Sequence, residues 1–177
     1  VVADIPGLVP GASGGAGLGM RFLRHLVRTR LLLHIVDIEP ADGSDPVANA
    51  KAIETELSQF SPLFSDIPIW TLATKMDVVA EEQGQEVVKR LAEAFPGRPC
   101  YAISAVTGVG IDFLVNKLMQ HVANWRESLA SDPALDERDR DLEARLTKDV
   151  LNQALLSSAT DDRRAVRDPK VEVLYRE

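Results

Sequence analysis

Cysteine is nearly missing from this chain: Cys100 stands alone among 177 residues. No internal disulfide can form, and a reducing compartment, most simply the cytoplasm, is expected. Aromatic residues are scarce at 5%, so aliphatic side chains must fill the core; a hydrophobic content of 45% suffices for one. Positive charge is in deficit, with a formal net charge of −7. That argues against non-specific binding to nucleic acid, DNA included, or to anionic lipid, which needs a basic surface. No apolar stretch approaches the ~20 residues of a membrane span. No signal peptide is visible, because the first apolar run lacks a basic leader and is broken by Asp4, Pro6 and Gly7. His25 and His121 have no cysteine or carboxylate partners at ligand spacing, so no protein-held metal centre of that kind is indicated. The first residue is Val1 rather than Met, and the expectation is that the true start has been cut away or processed.

What is present is an alternation of apolar runs and amphipathic stretches. Residues 1–5 read as a buried strand and residues 18–30 as a helix with Phe22, Leu23, Leu26 and Val27 as its apolar stripe. The run 31–38 is continuously apolar, as in a strand covered on both faces. Asp45 and Pro46 read as the cap and first residue of a helix reaching about Phe60. Residues 68–74 and 99–103 read as further strands, 81–95 and 110–125 as helices. Four strand–helix repeats predict a parallel α/β fold with right-handed crossovers. Beyond Trp125 the chain becomes strongly charged, but Leu142, Leu146 and Val150 keep helical spacing, predicting an exposed amphipathic helix before a mobile tail from Asp161.

Ligands in open α/β sheets bind at the carboxyl ends of the strands, and three such ends carry polar or glycine punctuation. Asp4, Ile5, Pro6 and Gly7 form D-x-x-G, opening a segment that holds six of the chain's 11 glycines by Gly19. In a nucleotide site the Asp manages magnesium and the glycine N–H meets the terminal phosphate; the same residues also make an ordinary turn. Thr74, Lys75, Met76 and Asp77 follow the third predicted strand. Guanine offers N1–H and N2–H as adjacent donors, which the Asp77 carboxylate would accept together while the stem of Lys75 covers the ring; the rival reading is a helix cap. Ser104 and Ala105 follow the fourth strand, where the Ala105 N–H could meet guanine O6; alone, this is a loop signal.

Together, in this order, these elements resemble the later nucleotide-binding motifs of translation-factor-type P-loop GTPases. The string from Asp4 to Ile38, DIPGLVPGASGGAGLGMRFLRHLVRTRLLLHIVDI, resembles the Obg family specifically. The resemblance covers about residues 1–125. It implies a partial Ras-like P-loop NTPase fold over 1–125, with 126–177 a charged helical and partly disordered extension. It implies GTP and GDP as ligands, Mg²⁺ as cofactor, slow GTP hydrolysis to GDP and phosphate, and a monomer acting in large ribosomal subunit assembly and stress control. Asp4 would be the metal-side aspartate and Gly7 the γ-phosphate sensor, the one catalytic position, with Ile5 and Pro6 between them. Thr74, Lys75 and Asp77 would read guanine, and Ser104 and Ala105 would complete the base pocket.

Three departures qualify that resemblance. Thr74 stands where an asparagine usually ties this loop to the phosphate loop, and looser binding is expected. Leu8 follows Gly7 where many GTPases place a water-orienting glutamine, although Obg-like proteins also carry an apolar residue there. A phosphate loop G-x-x-x-x-G-K-[ST] is expected before Asp4 and is not found: Gly14–Gly19 has the glycine spacing but continues with Met20 and Arg21, and no lysine follows a glycine. A dinucleotide fingerprint is not matched in register either. The chain therefore reads as the C-terminal part of a larger GTPase, inactive alone, with a gap expected inside its sheet where the phosphate-loop strand would lie. The alternative is a non-catalytic fragment binding a ribosomal or protein partner through Arg21, Arg24, Arg28 and Arg30 or through the charged tail. His34 is expected to be a hydrogen-bonded core residue and Cys100 an inert one.

Overall fold

The apolar run after Arg30 becomes a strand because its β-branched and leucine side chains can be covered on both faces. In the computed structural model, which describes residues 27–165, β1 spans Leu32–Asp37. It pairs in parallel with β2, Ile69–Thr74, in the register Leu32 to Ile69 through Asp37 to Thr74. β2 in turn pairs in parallel with β3, Cys100–Ala102, from Thr71 opposite Cys100 to Ala73 opposite Ala102. The sheet order is β1-β2-β3. The connections are α1, Pro46–Phe60, with a short 3-10 turn at Pro62–Asp66, and α2, Glu81–Ala94. After β3 come α3, Ile111–Ser131, and α4, Pro133–Ala165.

Local chemistry sets the element ends. Asp45 accepts a hydrogen bond from the Ala48 N–H at 2.8 Å, with Pro46 at the first helical position, as the sequence predicts. Ser61 ends α1 and caps the 3-10 turn through its hydroxyl, which accepts from Leu63 N at 3.2 Å. That turn was not legible in the sequence pattern, being a single Pro-initiated turn without periodicity.

The alternation within β2 sorts the core into two faces. Ala73 joins Val36, Ile38, Val47, Ala50, Leu91 and Phe95 under α1 and α2. Trp70 and Leu72 join Ile103 and Leu114 under α3. A third cluster lies beyond the amino ends of the strands, where Val27, Leu57, Phe64 and Ile67 receive Leu146 and Val150 from α4. Leu142 packs against the same cluster, so the amphipathic spacing seen in the sequence is used for docking onto the body of the fold. Phe64 is 1% exposed at the centre of that cluster. Phe64→Ala is expected to cost about 3–5 kcal/mol in urea unfolding, the range for an aromatic-to-alanine cavity.

Two boundaries differ from the sequence reading. Residues 27–30 are turn and bend rather than the last turn of a helix, because Val27 is drawn into the core under α4 and Arg30 pairs with α4 carboxylates. The helix predicted to end near 125 runs on to Ser131, and α4, within the extension expected to be helical, spans Pro133–Ala165. The predicted strand at 1–5 and most of the predicted helix at 18–30 lie outside the described residues.

Among the described residues no strand pairs with the outer edge of β1, and Ile35 on that strand is 64% exposed. His34, on the opposite face, is a hydrogen-bonded core residue as anticipated: its Nδ1 lies 3.2 Å from Glu54 Oε1. Arg98 binds the same carboxylate oxygen and stacks its guanidinium over Phe95. Burial of Glu54 works against its charge, but hydrogen bonds from His34 and Arg98 and the Arg98 charge hold its carboxyl below the usual range. A depressed carboxyl stabilises the fold above its unfolded value, and that contribution disappears as pH falls through the folded one. Arg98→Gln is therefore expected to lower the melting temperature at neutral pH, with the difference from wild type shrinking below about pH 4 as both Glu54 carboxyls protonate. Parallel thermal melts across pH check this.

Candidate functional site

The carboxyl ends of β2 and β3 bring together five residues singled out in the sequence. β2 ends at Thr74, whose hydroxyl donates to the Val36 carbonyl at 3.1 Å and so ties the loop to β1. Lys75 then adopts a positive φ of 64°, the one non-glycine residue among those described to do so. Such a backbone costs a residue with a side chain roughly 1–2 kcal/mol, and it makes the chain turn sharply out of the strand. The turn is closed by Val78 N donating to Lys75 O at 3.1 Å and by Met76 N donating to Ile103 O at 3.3 Å. The second bond locks this loop to the end of β3.

Asp77 sits exposed on the outer side of the turn. Ser104 is buried, 1% exposed, and its hydroxyl donates to Asp77 Oδ1. The same Ser104 oxygen accepts from Thr107 N at 3.1 Å, and Ser104 N donates to Val109 O at 2.9 Å. The Asp77 carboxylate is thus held at a fixed angle by a residue that is itself fixed. Asp77 as a residue is exposed, and an exposed carboxylate can accept a pair of donors. Ala105 follows at the surface, and among the described residues its backbone N–H has no acceptor. The Asp77 carboxylate and the Ala105 N–H therefore follow the carboxyl ends of adjacent parallel strands, linked through Ser104. Ser104→Ala removes the bond to Asp77 and leaves the Thr107 N–H without its acceptor. The expected cost is about 1–2 kcal/mol of stability, read in urea unfolding.

Two residues that shape this end were not singled out in the sequence. Asp37, the last residue of β1, binds the Lys75 ammonium through Oδ2 at 2.6 Å, and its Oδ1 accepts from Glu39 N at 3.0 Å. Its signal was available: a lone carboxylate closing a long apolar run marks a strand's carboxyl end. Gly110 lies at the start of α3 with φ 77°, and a Cβ there would stand 2.3 Å from the Ala102 carbonyl oxygen. Only a glycine lets α3 begin so close to β3, which is what brings the 104–109 loop over Asp77.

Asp4, Ile5, Pro6 and Gly7 lie outside the described residues, as do Arg21, Arg24 and His25. Of the arginine row, Arg28 is exposed, whereas Arg30 is consumed by an internal ion pair. His121 packs edge-on against Trp70 at 5.2 Å between centroids. Burial pushes the Cys100 thiol upward, away from the reactive thiolate. Among the described residues no three His, Cys, Asp or Glu side chains are placed to hold a metal ion. No described helix is long and apolar enough to cross a membrane. A groove of about 720 Å³ lies beside the site, between Ile38, Glu39, the 78–80 loop and the first turns of α2. It does not include Lys75, Asp77 or Ser104. No protein-family model matches the chain.

Proposed function

We propose that this chain is the guanine-reading part of a P-loop GTPase switch of the Obg type, with a Ras-like fold over residues 1–125. The observation that carries the reading is the placement of Asp77, oriented by Ser104 and followed in space by the Ala105 N–H, which has no acceptor among the described residues, at the carboxyl ends of adjacent parallel strands. An acceptor for guanine N1–H and N2–H and a donor for guanine O6 would then lie at neighbouring strand ends, and adenine offers the opposite pattern at N1 and at its exocyclic group. Lys75, drawn across the loop toward Asp37, would place its alkyl stem against one ring face. The outer edge of β1, unpaired among the described residues, and the exposed Ile35 are where a phosphate-loop strand and its following helix would pack in such a fold.

In this reading Asp4 would hold Mg²⁺ and the Gly7 N–H would contact the γ-phosphate, so that the Gly7–Gly19 segment would respond to GTP and to its hydrolysis to GDP and phosphate. Mg²⁺ would supply charge neutralisation at the transferring phosphoryl group. The chain's own residues contribute position and base selection, with no side-chain base at Leu8. The biological role implied by the resemblance is a cytoplasmic one in large ribosomal subunit assembly and stress control. Displacement of a fluorescent GDP analogue from the full-length protein tests the base reading. GDP should compete and ADP should not; equal competition by both would defeat it. Co-sedimentation with the large ribosomal subunit, present with a non-hydrolysable GTP analogue and reduced with GDP, tests the role.

A further inference from the structure

Lys75 is anchored at both ends. Its backbone is held at the positive φ of 64° by Val78 N donating to Lys75 O at 3.1 Å and by Met76 N donating to Ile103 O at 3.3 Å. A residue with a side chain persists in that region only where its surroundings fix it, and such residues concentrate at functional sites. At the end of its alkyl stem, the ammonium donates to Asp37 Oδ2 at 2.6 Å. Asp37 is fixed in turn: it closes β1 as the register partner of Thr74, and its Oδ1 accepts from Glu39 N at 3.0 Å. Thr74 adds a parallel tie, its hydroxyl donating to the Val36 carbonyl at 3.1 Å. The corner at 74–75 is therefore tied to β1 twice. The Lys75 and Asp37 side chains are 56% and 31% exposed, and a pair so open to water contributes little to the stability of the fold. What the pair does decide is where a long side chain lies.

We infer that Asp37 is a positioning residue for base binding: it holds the Lys75 side chain drawn from the end of β2 to the end of β1 before a nucleotide arrives. The inference rests on the GTPase reading given above and adds to it a residue that does not touch the base. A lysine free in water loses rotamer freedom when its stem is pressed against a ring, whereas one already drawn to Asp37 has lost it in advance. Asp37 therefore acts on the strength of binding and not on the choice of base, which belongs to the Asp77 carboxylate. Inosine separates the two roles. It lacks the 2-amino group that Asp77 would meet, but it offers Lys75 the same ring face.

Asp37→Asn keeps the shape of the side chain and an oxygen for the Glu39 N–H, and removes only the charge that draws Lys75. In calorimetric titrations of the full-length protein with Mg²⁺, GDP and inosine diphosphate should both bind about threefold to tenfold more weakly, the range for ordering one long side chain on binding. Their affinity ratio should stay as in the wild type, and the melting temperature should stay within about 3 °C of it. Asp37→Glu keeps the charge and should retain most of the affinity. Lys75→Met removes the ammonium, so on that background Asp37→Asn should bring no further loss. Wild-type GDP affinity in Asp37→Asn, or an equal loss on the Lys75→Met background, would overturn the inference and leave the GTPase reading intact. Failure of the unsubstituted protein to bind GDP would remove both.

Discussion

Asp77→Asn is expected to turn the site from guanine to xanthine. A carboxylate accepts from guanine N1–H and N2–H together, and each bond to a charged acceptor contributes on the order of 1.5–3 kcal/mol. The amide of asparagine has one acceptor and one donor. The Ser104 hydroxyl, which donates to Asp77 Oδ1, keeps the amide oxygen on its own side and turns the NH₂ outward. That NH₂ meets guanine N2–H donor to donor, but it meets the C2 carbonyl of xanthine as a matched pair. GTP affinity should fall at least ~100-fold, equivalent to two factors of ten at about 1.4 kcal/mol each, and xanthosine triphosphate should bind better than to the wild type. Titration of both nucleotides against both proteins reads this directly. Unchanged guanine preference in the variant would show that Asp77 does not touch the base.

The second large effect is structural and concerns Gly110. Gly110→Ala combines a left-handed φ of 77° with a Cβ placed 2.3 Å from the Ala102 carbonyl oxygen, a backbone atom within the sheet. The torsion alone costs roughly 1–2 kcal/mol; the clash requires α3 to move off β3, and a total of about 2–4 kcal/mol is expected. Two other glycines act as internal references. Gly43→Ala shares the positive φ, at 71°, but has nothing within 4 Å, so it should show the torsional cost alone. Gly84→Ala lies inside α2 and meets the flexible end of Met76, so its helix-propensity gain of up to ~1 kcal/mol offsets the contact. Thermal unfolding of the three should therefore rank Gly110→Ala lowest by a clear margin. Because the 104–109 loop hangs between β3 and Gly110, that variant should also weaken nucleotide binding, which Gly43→Ala should not.

The parts of this structure that were legible in the sequence are those governed by local rules. The apolar runs at 31–38 and 68–74 became β1 and β2 within a residue of their predicted ends. The Asp45-Pro46 start of α1 was readable because cap chemistry needs only its own neighbours. The juxtaposition of Asp77 with Ser104 followed from topology, since parallel strands must present their carboxyl ends together. What escaped depended on residues distant in sequence. Arg30 reads as one of a row of surface arginines, and only the return of α4 makes it an internal partner of Asp139 and Glu143. Asp37 gains its role from Lys75, 38 positions later, and the positive φ of Lys75 has no signature in a lysine. The end of α3 was set too early because charge density marks solvent exposure but does not end a helix.

The central claim is that the 74–77 and 104–105 loops read a guanine base. Amide NMR spectra of the full-length protein, recorded while Mg²⁺ and GDP are added, test it most directly. Large shifts should appear at Lys75, Asp77, Ser104 and Ala105, with the Ala105 N–H moving downfield as it acquires an acceptor, and ADP at the same concentration should leave these resonances in place. GDP-induced shifts that bypass these residues, or equal shifts with ADP, would contradict it.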